Sequence, residues 1–271
     1  MPTGVIGRIE TEVGELEVRV HGAGPVAVLW HSLFVDDRSW DRVAPALAGA
    51  RRLVRITGPG HGGSAATARS YTLDDCAAAA LTVLDALGLA GPVDWVGSAW
   101  GGHVGLVLAA THPERVRTLA AFNAPVAALT AVESRAPRLL ATVFGLLGAV
   151  TPVRRGVITA LLSERTRAAD PEAVAYVEGC LQSAPRRALV TAIRSVSLTR
   201  PDLTPLLPRI ATPSLLVTGP DDPMWTPDQA RRAAAAMPHG DAAIVAGSGH
   251  LTPFETPGET ISLMMRLWAD A

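Results

Sequence analysis

The stretch between positions 93 and 112 restricts the fold more than any other part of the chain. An apolar strand pattern, Val93-Asp94-Trp95-Val96, passes through Gly97-Ser98-Ala99-Trp100-Gly101-Gly102-His103 into an apolar helix pattern that stops before Pro113. Glycine is the residue that lets two backbones approach without a Cβ between them, so a turn this rich in it bends sharply. Such a strand-to-helix turn lifts its central side chain above the sheet, at the electropositive end of the helix.

Short β-rich runs alternate with helical patterns along most of the remaining chain. Strands are expected at 5–10, 16–20, 26–31, 53–56, 93–97, 117–122, 214–218 and 242–246. The pattern over 72–89 places Cys76, Ala80, Val83, Leu84 and Leu87 on one helical face. Thr72 followed by Asp75 suits its N-terminal cap. Further helices are expected over 101–112 and 257–269, the second with Ile261, Met264, Met265 and Trp268 on one stripe. This alternation predicts an α/β fold: a mostly parallel central sheet of about eight strands, flanked by helices on both faces. Only a short glycine-containing connection joins the first two runs, so an antiparallel hairpin should open the sheet.

Residues 124–206 break the alternation and read as helices alone, with apolar stretches at 139–150 and 157–162. The expected organisation is a core of residues 1–123 and 207–271 carrying a helical cap, 124–206. The cap would cover the C-terminal edge of the sheet, where open α/β folds place their ligands.

Composition narrows the chemistry. With 48% hydrophobic and 18% charged residues in a chain of 271, a large buried core is available. A formal net charge of -1 offers no basic face to nucleic acid and no polybasic patch to a membrane. All 24 basic residues are arginine, which excludes a lysine Schiff base. Cys76 and Cys180 lie far apart and read as reduced thiols, and neither a metal cluster nor a cofactor motif emerges. The N-terminal MPTGVIGRIETEVGE has no basic region followed by an apolar one. The 139–150 run is shorter than the roughly 20 residues that span a bilayer. A cytoplasmic protein without nucleic-acid or membrane partners is expected.

The turn at 97–101 resembles the elbow of the α/β-hydrolase fold superfamily, which reads Gly-x-nucleophile-x-Gly. Matching Gly97 and Gly101 to those glycines puts Ala99 at the nucleophile position. Shifting the register to use Ser98 would lose both glycines. Gly219-Pro220-Asp221-Asp222 follows the apolar run Leu215-Leu216-Val217, resembles the family's Gly-x-x-acid turn, and selects Asp222. Gly247-Ser248-Gly249-His250 is similar to the loop that presents the family's histidine. The resemblance implies a base, His250, whose tautomer and positive charge are held by the Asp222 carboxylate.

Trp30-His31-Ser32-Leu33-Phe34 resembles the family's His-Gly-x loop, with Ser32 where glycine is usual. By that likeness the main-chain amides of Leu33 and Trp100 form an oxyanion hole. The turn Gly58-Pro59-Gly60-His61-Gly62-Gly63-Ser64 resembles the family's turn after the next strand. Its glycines lack the lysine of a phosphate loop, and Thr57 stands where relatives often have aspartate. His31 is expected to hydrogen-bond its own loop and His103 to be packed. Substrate contacts are expected from His31, Ser32, Phe34, Ser98, Phe144, Tyr176 and Trp225. The cap's aliphatic content suggests a small apolar or aromatic substrate. Arg135, Arg154 and Arg155 suit either a substrate carboxylate or a solvated face.

A methyl group cannot attack a carbonyl, and three functions follow. In the first, Ala99 replaces a serine, and the chain is an inactivated ester, lactone, thioester or C–C bond hydrolase. Epoxide hydrolysis and dehalogenation, the aspartate branches, fit less well: Tyr176 is the cap's one tyrosine, the cap lacks tryptophan, and Leu33 occupies the oxyanion loop. In the second, Ala99 is natural and His250 with Asp222 acts as a general base in a lyase, isomerase or cyclase. In the third, the protein binds a small ligand without turning it over.

Overall fold

The structure is a computed structural model describing residues 5–67 and 69–270; residues 1–4 of the N-terminal stretch lie outside the described residues. Eight strands form one sheet: β1 (Val5–Ile9), β2 (Leu16–His21), β3 (Val26–Trp30), β4 (Arg52–Ile56), β5 (Val93–Ser98), β6 (Val116–Phe122), β7 (Ser214–Thr218) and β8 (Gly240–Ile244). Their order is β1-β2-β4-β3-β5-β6-β7-β8. β2 runs antiparallel to both β1 and β4, and every later pairing is parallel.

Eleven α-helices accompany the strands among the described residues. They are α1 (Ala44–Leu47), α2 (Leu73–Ala86), α3 (Trp100–Thr111), α4 (Arg135–Leu147), α5 (Thr151–Leu161), α6 (Glu164–Ala169), α7 (Pro171–Ser183), α8 (Arg186–Ile193), α9 (Pro227–Ala235), α10 (Thr252–Glu255) and α11 (Pro257–Ala269). Thr72 caps α2 as the sequence implies: its hydroxyl accepts the Asp75 amide at 3.1 Å, and the Asp75 carboxylate accepts the Thr72 amide at 2.8 Å.

Alternate residues of a strand point to opposite faces, and along the central strands β3–β7 both faces are buried. On β3, Val28 and Trp30 join one apolar cluster with α2, α3 and α9, while Ala27 and Leu29 join a second with α1 and α11. This is the packing a parallel sheet requires. The helices α4–α8 lie between β6 and β7 and bury a third cluster of their own, which also takes in Val35, Leu251 and Phe254 of the sheet's loops. Among the described residues, no helix is long and apolar enough to cross a membrane.

The last strand starts and ends two residues earlier than the sequence suggests. Gly240–Ile244 pairs opposite Ser214–Thr218, and the Val245 amide makes a final bond to the Thr218 carbonyl at 2.9 Å. The chain then turns away through Gly247, at φ 75°. Gly240 can begin the strand because it lacks a Cβ, which would stand 2.3 Å from the Ala234 carbonyl oxygen.

Candidate active site

Six parallel strands end on one edge of the sheet, and the elbow follows β5 there. Ala99 alone separates β5 from α3, at φ 45° and ψ -100°. This is a sparsely populated backbone region for a residue with a Cβ, costing about 1–3 kcal/mol. Two main-chain bonds hold it: Ala99 donates to the Phe122 carbonyl at 2.7 Å and accepts from the His103 amide at 2.9 Å. The glycines around it are sterically required. A Cβ on Gly97 would lie 2.1 Å from the Gly101 carbonyl, and one on Gly101 would lie 2.1 Å from the Trp30 oxygen. Ala99 is therefore the apex of the turn, and Ser98 belongs to the strand. Ser98 is buried beside Ser39, Trp40, Leu251 and Phe254, and its hydroxyl has no hydrogen-bond partner among the described residues.

His250 and Asp222 meet past the ends of β8 and β7. The imidazole Nδ1 lies 3.0 Å from each carboxylate oxygen of Asp222. Carboxylate oxygens only accept, so Nδ1 carries a proton. Asp222 also accepts from the Met224 amide at 2.8 Å and from the Asn123 side-chain amide at 3.0 Å. Burial pushes the carboxyl pKa up, but the His250 charge and these hydrogen bonds outweigh burial and hold it below its usual value.

Asn123 is a residue that sequence reasoning missed. It ends β6 fully buried at φ 52°. Besides Asp222, its side chain donates to the Gly249 carbonyl at 2.9 Å and accepts from the Thr252 amide at 3.2 Å. One amide group thus joins the acid turn, the histidine loop and the start of α10. The available signal was a polar residue ending the apolar run before Ala124 and Pro125.

The loop after β3 abuts the elbow through a bond from the Gly101 amide to the His31 carbonyl at 3.2 Å. Neither the Leu33 nor the Trp100 amide donates in a loop, turn or cap bond. Trp100 is the first residue of α3, where amides have no partner within the helix. Both ring nitrogens of His31 are engaged by the main chain. Its Nδ1–H donates to the Ser32 carbonyl at 2.7 Å, and Nε2 accepts from the Gly58 amide at 2.8 Å. Burial, then the neighbouring His61, lower its pKa to about 3, so it is neutral. Ser32 is buried, and the half-buried Phe34, at φ 72°, packs against the third cluster.

A sequence profile of the alpha/beta hydrolase family matches residues 20–263. This chain belongs to the alpha/beta hydrolase family. Among its relatives, (E)-2-((N-methylformamido)methylene)succinate hydrolase of Acinetobacter baylyi is 26% identical over 257 residues, 92% of either chain. Pimeloyl-(acyl-carrier protein) methyl ester esterase of Xanthomonas oryzae pv. oryzae is 29% identical over 261 residues, 91% of this chain and 96% of the relative. A thermophilic esterase from Thermogutta terrifontis shares the fold with a TM-score of 0.89 at 24% identity, covering 98% of both chains.

Three residues expected at the substrate of this alpha/beta hydrolase are engaged with the protein itself. Phe144 is buried in the helical cluster with Val153, Leu161 and Leu189. The Tyr176 hydroxyl is occupied by Asp36, donating to its carboxylate at 3.1 Å and accepting its amide at 3.2 Å. Trp225 packs under α9 with Ala230 and Ala233 in the first sheet cluster. Of the three arginines, Arg154 pairs with Glu178 at 2.6 Å, and Arg135 and Arg155 are exposed.

His103, one turn into α3, is buried with Nε2–H donating to the Pro125 carbonyl at 3.0 Å. Its Nδ1 has no partner. Burial, then the charges of Arg200 and His250, push its pKa well down, so this imidazole is neutral too. A cavity beside the β3 loop is lined by Val35, Asp36, His61, Cys180 and Pro185; Ala99, Asp222 and His250 are not on its wall.

Proposed function

We propose that this alpha/beta hydrolase acts on a small carbonyl compound by general-base catalysis, with no covalent enzyme intermediate. The observation that carries the reading is the His250–Asp222 pair, whose carboxylate accepts from His250, Asn123 and Met224 together. An imidazole held in one tautomer, its Nε2 lone pair free, is equipped to take a proton. With a methyl group at the apex, the base acts on water rather than on a side-chain hydroxyl. Nε2 takes a proton from the water as its oxygen bonds to the substrate carbonyl carbon. The Leu33 and Trp100 amides stabilise the oxyanion. As the bond to the leaving group breaks, the proton passes from Nε2 to that group.

The helices α4–α8 serve as the cap in this reading. Ala99 and His250 are only 5% and 4% exposed, so substrate reaches them when the cap shifts. The relatives include a methyl ester esterase and a substituted-succinate hydrolase, and a small ester, lactone, thioester or C–C compound is the substrate class proposed for this chain. The same base could remove a proton beside a carbonyl in a lyase or isomerase reaction.

A second reading is favoured by one observation, the strained backbone of Ala99. A serine-dependent hydrolase needs that strain to lift its hydroxyl, whereas an alanine gains nothing from it. The two readings separate in one set of measurements. Under base catalysis, the chain with Ala99 turns over p-nitrophenyl esters above background, and His250→Ala abolishes this. Under the serine reading, the Ala99 chain is silent, while Ala99→Ser gains ester turnover and fluorophosphonate labelling. Binding without conversion in both chains would instead indicate a ligand-binding protein.

A further inference from the structure

The sheet alone does not hold the histidine loop. Beyond β8, residues 247–251 lie against the turn that joins α5 to α6. The main-chain amide of His250 donates to the Leu161 carbonyl at 3.0 Å. The amides on either side, Gly249 and Leu251, donate to Glu255 Oε1 at 2.8 and 3.3 Å. The other carboxylate oxygen, Oε2, accepts from the Ser163 amide at 2.8 Å. A Cβ on Gly249 would stand 2.7 Å from the Ser163 nitrogen and 3.2 Å from Glu255 Oε1. The glycine preceding His250 is thus what admits both neighbours. A Cβ on Gly247 would likewise meet Arg165 of α6 at 2.8 Å.

We infer that Glu255 is a positioning residue for His250, and that through it the α5–α6 turn of the cap becomes part of the frame that aims the imidazole. Carboxylate-to-amide bonds are charge-assisted and stronger than neutral ones. Here one carboxylate gathers two amides from the histidine loop and one from the cap, and no cation pairs with it among the described residues. The Nδ1–H bond to Asp222 sets where the ring points, while the Glu255 clamp sets where the backbone beneath it sits. Displacing the 161–163 turn removes a carbonyl from His250 and an amide from Glu255 at once. The inference rests on His250 being the base, but its readouts are properties of the loop itself.

The test compares full-length variants with matched chemistry. Ser163→Ala removes only the hydroxyl. Ser163→Pro also removes the amide, at a position whose φ of -58° already suits proline, after a Leu162 that is already extended. Glu255→Gln and Glu255→Asp alter the acceptor. The measurements are amide hydrogen exchange at 249 and 251 and the Nδ1–H resonance of His250 by NMR. Ser163→Pro should speed exchange at both amides about tenfold relative to Ser163→Ala, the effect of losing one charge-assisted bond on a local opening. It should also shift the His250 resonance. Glu255→Gln should do both more strongly, and Glu255→Asp should recover part. Identical behaviour of the alanine and proline variants overturns the inference. So does a His250 resonance unmoved in Glu255→Gln. Turnover that survives His250→Ala would remove the base reading and leave these loop measurements to decide the coupling by themselves.

Discussion

The side-chain amide of Asn123 donates to Asp222 Oδ2 at 3.0 Å from a fully buried position at the end of β6. The same amide group binds the Gly249 carbonyl and the Thr252 amide, so the acid and the histidine loop share one anchor. Replacing Asn123 by alanine leaves a buried carboxylate short of a donor, the Thr252 amide unpaired and the Gly249 carbonyl with only the Thr252 hydroxyl at 3.3 Å. Bonds to charged groups contribute about 1.5–3 kcal/mol each, and an unsatisfied partner adds to the loss. Asn123→Ala should lower the unfolding free energy by about 3 kcal/mol in urea denaturation. A loss below about 1 kcal/mol would mean that water replaces the amide.

The elbow glycines make a sharper test. Gly101→Ala puts a Cβ 2.1 Å from the Trp30 carbonyl oxygen, a backbone atom with no rotamer to yield. Overpacking in cores typically costs about 1–3 kcal/mol, and a clash with backbone should exceed that range. Gly88→Ala provides the comparison: its φ is +69° but it has open space around it, so it should cost about 1 kcal/mol from backbone strain alone. Equal losses in thermal unfolding would contradict the steric account of the turn.

At Ala99 the expected sign reverses. Glycine tolerates φ 45° where alanine does not, although it gives the unfolded chain more freedom. Ala99→Gly should therefore raise stability by about 0.5–1 kcal/mol. A lowered Tm would show that the Cβ contributes more by packing than it loses in strain.

Buried neutral histidines set the acid limit. Burial lowers the folded-state pKa of His31 to about 3, and lowers those of His61 and His103. In the unfolded chain they titrate near ~6.5. Between those values the unfolded state holds more protons, so stability falls as pH falls. Asp222 acts in the same direction lower down: its depressed folded pKa gives a contribution present above about pH 4 and lost as pH falls through the folded value. His31→Gln should flatten the slope of unfolding free energy between pH 6 and 4 by up to about 1.4 kcal/mol per pH unit. An unchanged slope would mean that His31 is not titrating on unfolding.

What could be read from sequence follows physical lines. The elbow was legible because close backbone contact admits only glycine, which marks Gly97 and Gly101 whatever their neighbours do. Asp222 and His250 were legible for a related reason: each sits just past a strand in a glycine-bounded loop, and the structure brings them to 3.0 Å. The packing of Phe144 and Trp225 was not legible because an aromatic side chain reads the same whether it lines a site or fills a core. Only the packing of α5, α7 and α9 around them decides. Asn123 escaped because its function comes from three partners 99 to 129 positions away in the chain. The early end of β8 reflects its bonding to β7, which apolar content at 242–246 does not encode.

The Gly249–Ser163 approach also bears on how this scaffold can be re-engineered. Lids of related folds invite transplantation, since they enter and leave the core at two points. Here the inserted helices supply a carbonyl to the His250 amide and an amide to Glu255, which under the proposed clamp the histidine loop depends on. A chimera carrying a foreign lid would need to reproduce the short 161–163 backbone turn as well as the junctions, or it would inherit a misaligned imidazole along with its new specificity.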